Sequence, residues 1–266
     1  MCLFAVVGCA LIPASPRSSS QLSNRPVLPP IQASPEAILL EVFFLERPAE
    51  DHLLTTGVWK DIDQIGSLAT ETRMLLHDNG LRIGNVSSNP PPSVQRLLGR
   101  VTEIQDDTTE GSRPMMGFRR YVSPGVETEI PTGIVRDQCE ISVREGDRTK
   151  SLQYVQAGCV FRMKASRLQE GWVRVDFLPE IHHGGQQTRF TPTENGFLLR
   201  GGQEIDVRNG QRFSVTMNVG ELILVTSTCD AEGTLGDRFF CHTDHGMAKQ
   251  RVLVVRVIDS GHSSAH

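Results

Sequence analysis

The chain predicts an α+β fold that is mainly β: a small β-α-β-α unit followed by an antiparallel β domain. Three observations lead there. Helical periodicity is confined to the text before Arg100, short alternating runs separated by Gly, Asp and Asn take over after it, and a Pro- and Ser-rich tract precedes both. The boundaries follow: 1–36 as leader and tether, 37–100 as the α/β unit, 101–260 as the β domain and 261–266 as a tail. A chain of 266 residues accommodates one large domain or two ordinary ones, at about 100–200 residues each.

Each element has its own signal. Ser15 to Pro35 carries Pro16, Pro26, Pro29, Pro30 and Pro35 with Ser18, Ser19 and Ser20, a composition that buries too little apolar surface to fold and reads as an extended tether. Ala37 to Glu46, bounded by Pro35 and Pro48, is a buried strand. Leu68, Thr72, Leu75 and Leu76 fall on one helical face, with Ser67 placed as N-cap and Asn79-Gly80 as the left-handed stop. Leu81 to Val86 alternates as a half-buried strand, and Pro90, Pro91 and Pro92 open a short helix ending near Gly99. Beyond Arg100 the strands read as Gln153–Val155, Val160–Lys164, Trp172–Leu178, Gly196–Leu199, Phe213–Asn218, Leu222–Thr226 and Arg251–Ile258. Asn209-Gly210 is a hairpin-turn signal and Asn218-Val219-Gly220 a second tight connection.

Charge and hydropathy exclude some functions. Lys and Arg number 27 against 31 Asp and Glu, a net charge of −4, and the basic residues are scattered, so no footprint for nucleic acid stands out. No apolar run reaches the roughly 18 residues that a transmembrane helix needs. Val6-Val7-Gly8-Cys9 resembles the lipobox of bacterial lipoprotein signals. That resemblance implies an exported protein of the cell envelope, in the outer membrane or periplasm, with Cys9 as the lipidated residue and a lipid anchor to the membrane. Met1 to Phe4 supplies neither a positive segment nor a full apolar core, so this reading calls for an upstream start codon.

Cys2 and Cys9 belong to the leader, leaving Cys139, Cys159, Cys229 and Cys241. Four cysteines allow three pairings. An oxidising compartment favours one or two disulfides, and the Gly- and Asp-rich stretch from Cys229 to Cys241 is loop-like enough to be closed by one; buried free thiols are the alternative.

The phrases Tyr154 to Phe161, Val173 to Ile181, Phe213 to Val225 and Leu235 to Phe240 occur in an order that resembles the secretin core domain. In that family a strand ends in glycine before an apolar pair, a strand runs into Pro-Glu, a Gly-Glu turn precedes an apolar strand, and a Leu-Gly-x-x-Phe element follows. Ile38 to Glu46 is similar to the strand that precedes such a core. The resemblance implies a structural or adaptor role, as a component of a secretion assembly, with envelope proteins or further copies of the chain as partners. One β-α-β-α unit before a shortened core departs from the family's long core and several ring-building domains, so a reduced, non-channel relative is expected. Unpaired strand edges are the physical means of association.

Motifs for chemistry are sparse. Cys241-His242-Thr243-Asp244-His245 places metal-competent side chains close together, and zinc would accept such donors, but strand alternation sends Cys241, Thr243 and His245 to one face and His242 and Asp244 to the other. The same argument separates His182 from His183, which read as part of a Gly-containing loop. No Gly-x-Ser-x-Gly, phosphate loop or catalytic cysteine signature occurs. The expectation is a non-enzymatic protein without cofactor. The alternative is a metal-binding module or metal-dependent hydrolase using His182, His183, Cys241, His242, Asp244 and His245.

Overall fold

The computed structural model describes residue 34 and residues 36–99, 114–193, 196–228 and 231–261, with backbone alone for 114–116 and 187–201. The fold is mainly β with antiparallel sheets and few helices, as the sequence predicts.

Sheet A takes β1 (Ile38–Pro48), β2 (Leu81–Val86), β3 (Pro114–Val122), β9 (Leu222–Ser227), β10 (Cys241–Asp244) and β11 (Met247–Asp259), in the order β2-β9-β11-β1-β3 with β10 beside β11. Sheet B takes β4 (Glu127–Glu145), β5 (Arg148–Gln169), β6 (Trp172–Thr193), β7 (Gly196–Val207) and β8 (Phe213–Asn218), in the order β4-β5-β6-β7 with β8 beside β6. The helices are α1 (Val58–Asp61), α2 (Thr70–Asp78), α3 (Pro92–Leu97) and α4 (Leu235–Phe240).

The residue pattern explains the layers. Every residue of β9 is buried, as are Val252 to Val255 of β11; such continuous apolar runs suit central strands covered on both faces. On one face of sheet A, Leu40, Val42, Ile223, Val225, Leu253 and Val255 join Phe161, Phe177, Val215 and Met217 of sheet B in the main core. On the other face Leu45, Leu224, Val252 and Val254 pack against Leu54, Val58, Trp59, Val94 and Leu97 of the helical segments. Helix α4 supplies Phe239 and Phe240, both fully buried; the Phe161 ring lies 4.8 Å and 5.9 Å from theirs, and aromatic pairs of this kind contribute about 0.5–1.5 kcal/mol each beyond burial.

Several expectations change. The boundary near residue 100 does not separate two bodies: the described residues on its two sides belong to one compact unit, because β1 pairs with β11 and β2 with β9, from the opposite half of the chain. Helix α2 starts at Thr70 with Ala69 at its N-cap and no side-chain cap, and the Ser67 hydroxyl is buried without a hydrogen-bond partner. Asn209-Gly210 lies in a 3₁₀ turn leading from β7 to β8; these strands both pair with β6 and not with each other. The short strands read at Gln153–Val155 and Val160–Lys164 are parts of one 22-residue strand.

Candidate functional site

His182 and His183 sit inside β6, not in a loop, so the pleat separates them as alternation requires. The His182 Nε2 lies 3.0 Å from Glu180 Oε2, and Arg162 Nη2 lies 2.7 Å from Glu180 Oε1. The Glu180 side chain is fully buried, and an ionised carboxylate in such a place requires charged or hydrogen-bonding partners. On the opposite face the His183 ring packs tilted, at 4.9 Å and 56°, against Tyr154, whose hydroxyl donates to the Asp206 carboxylate.

The stretch read as a polar loop at 241–245 is a β-hairpin. Cys241 to Asp244 pairs with Met247 to Gln250, and His245 (φ +47°) and Gly246 (φ +80°) form the left-handed pair that a tight turn uses. His242 and Asp244 share a face, as alternation predicts, and meet there one carboxylate from the far end of the chain. Glu46 receives Arg251 Nε at 3.1 Å, Lys249 Nζ at 3.2 Å and His242 Nε2 at 3.3 Å; Lys249 also reaches Asp244 at 3.1 Å. Burial alone would raise the Glu46 carboxyl, but hydrogen bonds from Arg251 and Lys249 outweigh it and hold the group below its ordinary range. Burial, then the charge of Arg251, pushes His242 down, and its Nδ1 is buried without a hydrogen-bond partner. His245 points to solvent.

Among the described residues no three His, Cys, Asp or Glu side chains converge on a point where a metal ion would sit. His182 and His183 belong to sheet B, and His242 and His245 to the β10–β11 hairpin of sheet A and its turn. Cys139 and Cys159 carry free thiols. Burial pushes Cys159 up to about 12 and raises Cys139 as well. Cys9 and Cys229 lie outside the described residues.

The sequence did not reveal a fork in sheet B. β5 and β6 pair from Gln169 and Trp172 back to Gly158 and His182. Past that point β5 runs with β4 alone, and β6 leaves with β7. At the fork Gln156 and Gly184 adopt positive φ of +49° and +76°, and the Gln203 side chain ties the two hairpins by donating to the carbonyls of Gln156 (3.0 Å) and Gly184 (2.9 Å). The outgoing arm consists of Gln187–Thr193 paired with Gly196–Gly202, and among the described residues it pairs with nothing else. The β4 edge is different. Its Ser142 amide donates to the Gly233 carbonyl, its Arg144 amide to Asn79 Oδ1, and its Glu140 carbonyl accepts from Arg238; nearer its start, Pro131 and the irregularity between Pro131 and Val135 interrupt the ladder in the way natural edges are protected. Glu127, Arg162, Lys164, Arg174, Asp176 and Arg212 line a small charged hollow, about 160 Å³, on the outer face of sheet B.

No protein-family model matches the chain, and neither a curated protein nor a solved structure matches it.

Proposed function

We propose that the chain is a non-enzymatic structural or adaptor protein of the cell envelope, similar to a reduced secretin core, which associates with copies of itself through the strand arm of sheet B. The arm carries this reading. An isolated two-stranded hairpin is marginally stable in water, so a ribbon of Gln187–Thr193 with Gly196–Gly202 gains most from a strand contributed by a neighbour, whose main-chain groups would satisfy its open edges. The interrupted and capped β4 edge leaves the arm as the more available point of attachment. The charged outer face of sheet B supports a non-channel role, because lipid-facing strands alternate apolar residues outward. Anchoring through Cys9 would hold the assembly at a membrane.

Light scattering on the full chain, extracted in mild detergent, tests the reading. A multimer that reverts to monomer when residues 187–202 are replaced by a short turn is expected. A monomeric full-length chain, or a multimer of unchanged mass after that replacement, would sink it.

A further inference from the structure

We infer that the free edge of β2 and the flank of α2 form a docking cleft for an extended acidic peptide strand from another protein. The inference rests on the geometry of sheet A and not on the assembly of sheet B. Among the described residues β2 is an edge strand paired with β9 alone, and the direction of its unused main-chain groups can be worked out. The Asn85 amide donates to the Asp63 carbonyl at 2.7 Å, and the Asp63 amide to the Asn85 carbonyl at 3.1 Å. The N–H and C=O of Asn85 therefore point away from β9, and in an unbroken antiparallel strand those of Ile83 and Leu81 point the same way. One rung of a further strand is thus in place at Asp63, and the ladder positions after it open into a cavity of about 460 Å³ lined by Ile65, Met74 and Leu76 among others.

Two observations say what fills it. Ile65 and Met74 are 72% and 60% exposed, an apolar rim on a polar surface of the kind that marks an interaction site. The Arg73 side chain also lines the cavity, and its Nη1 is buried without a hydrogen-bond partner, so an incoming carboxylate would satisfy a donor that the fold leaves unmet. A strand uses the Leu81 and Ile83 main chain, its alternate apolar side chains meet Ile65 and Met74, and its acid meets Arg73. A second copy of this chain is a poor match by charge: β3, at the other edge of sheet A, carries Arg119 and Arg120, which would approach Arg73 with like sign.

The probes are amide-capped octapeptides of alternating valine and threonine, with a single aspartate at each position in turn and matched asparagine and lysine series, titrated into the full chain while the Leu81 and Ile83 amides are followed by NMR. At one position the aspartate peptide should bind about tenfold to a hundredfold tighter than its asparagine counterpart; Arg73→Met should erase that preference and Arg73→Lys should restore part of it. N-methylating the peptide backbone should block binding at every second residue only, a readout that needs no protein variant. Absence of amide shifts in all series, equal binding of the lysine series, or loss of binding without period two would overturn the inference. Protection of Leu81 and Ile83 that rises with protein concentration in the absence of peptide would assign the cleft to a second copy and overturn it equally.

Discussion

At the scale of single residues, the two charged clusters differ in how far the sequence shows them. Period-two alternation separates His182 from His183 and joins His242 to Asp244, because it depends on the pleat alone. It cannot show that Glu46, nearly two hundred residues away, closes on His242, Lys249 and Arg251, since that contact exists only through the β1–β11 register. Acid stability follows from the cluster. His242 is held below its ordinary 6.5, so the unfolded chain takes up a proton first as pH falls through that value and stability declines. Glu46 is held below its ordinary 4.5, so its contribution is present above that pH and is lost as pH falls through the lower folded value. Urea denaturation against pH should show both declines; His242→Gln should flatten the upper one, and Glu46→Gln should remove the lower one and deepen the upper, because the Glu46 charge holds the His242 ring up. A wild-type curve that is flat from neutrality down to 4.5 would contradict the argument. The thiols give a second test. With Cys159 buried and raised to about 12, almost no thiolate forms near neutral pH, so iodoacetamide should leave Cys159 unlabelled in the folded protein, and peptide mass spectrometry after reaction in urea should show it labelled.

Elements whose information is local were legible, and those that depend on distant partners were not. β2 and β8 fall where alternation places them, and the Asn79-Gly80 stop ends α2, with Gly80 at φ +76°. The sequence points to Ser67 as the cap of α2, two residues before the Ala69 cap position, because a serine slightly too early looks the same in sequence as one in place. A cap with a side-chain bond stands at α4: Thr234 Oγ1 accepts from the Asp237 amide while the Asp237 carboxylate accepts from the Gly233 amide, one residue before the cap, a shifted form of the capping box, and it holds α4 between the sheets. Space there is tight. A Cβ on Gly236 would stand 1.9 Å from the Gly80 carbonyl oxygen, a backbone atom that cannot swing aside. Gly236→Ala should therefore destabilise by about 3 kcal/mol or more, as overpacking does at its upper range. Gly146→Ala, at a turn with φ +61° and nothing near its Cβ, should cost only about 1–2 kcal/mol for the left-handed backbone. Equal denaturation midpoints for the two variants would show that α4 can move away from Gly80.

For the whole molecule, composition and periodicity gave the class but not the partition. A boundary near residue 100 looks natural in sequence because helical text stops there, yet the first strand of the N-terminal half lies next to the last strand of the C-terminal half, and chain order carries no signal for such pairing. The fork in sheet B was hidden for a similar reason: Gln156 is not a residue type that advertises positive φ, and the glycines at 184 and 185 look like an ordinary loop. The fork has a dynamic consequence. Below it, β6 is flanked by β5 on one side and β8 on the other and buries Val173, Val175 and Phe177 in the main core, so its amides should exchange only through global opening, at about 5–15 kcal/mol. Beyond it, the arm amides depend on a single two-stranded ladder, and in the monomer they should exchange near the zero end of that scale. If neighbouring molecules complete the arm, exchange across 187–202 should slow by orders of magnitude as protein concentration rises, while Trp172 to Phe177 stays unchanged. Hydrogen exchange read by mass spectrometry on the full chain at a dilute and a concentrated condition separates these cases. Arm exchange that is fast and independent of concentration would mean that its open edges face water, and the association proposed for sheet B would fail with it.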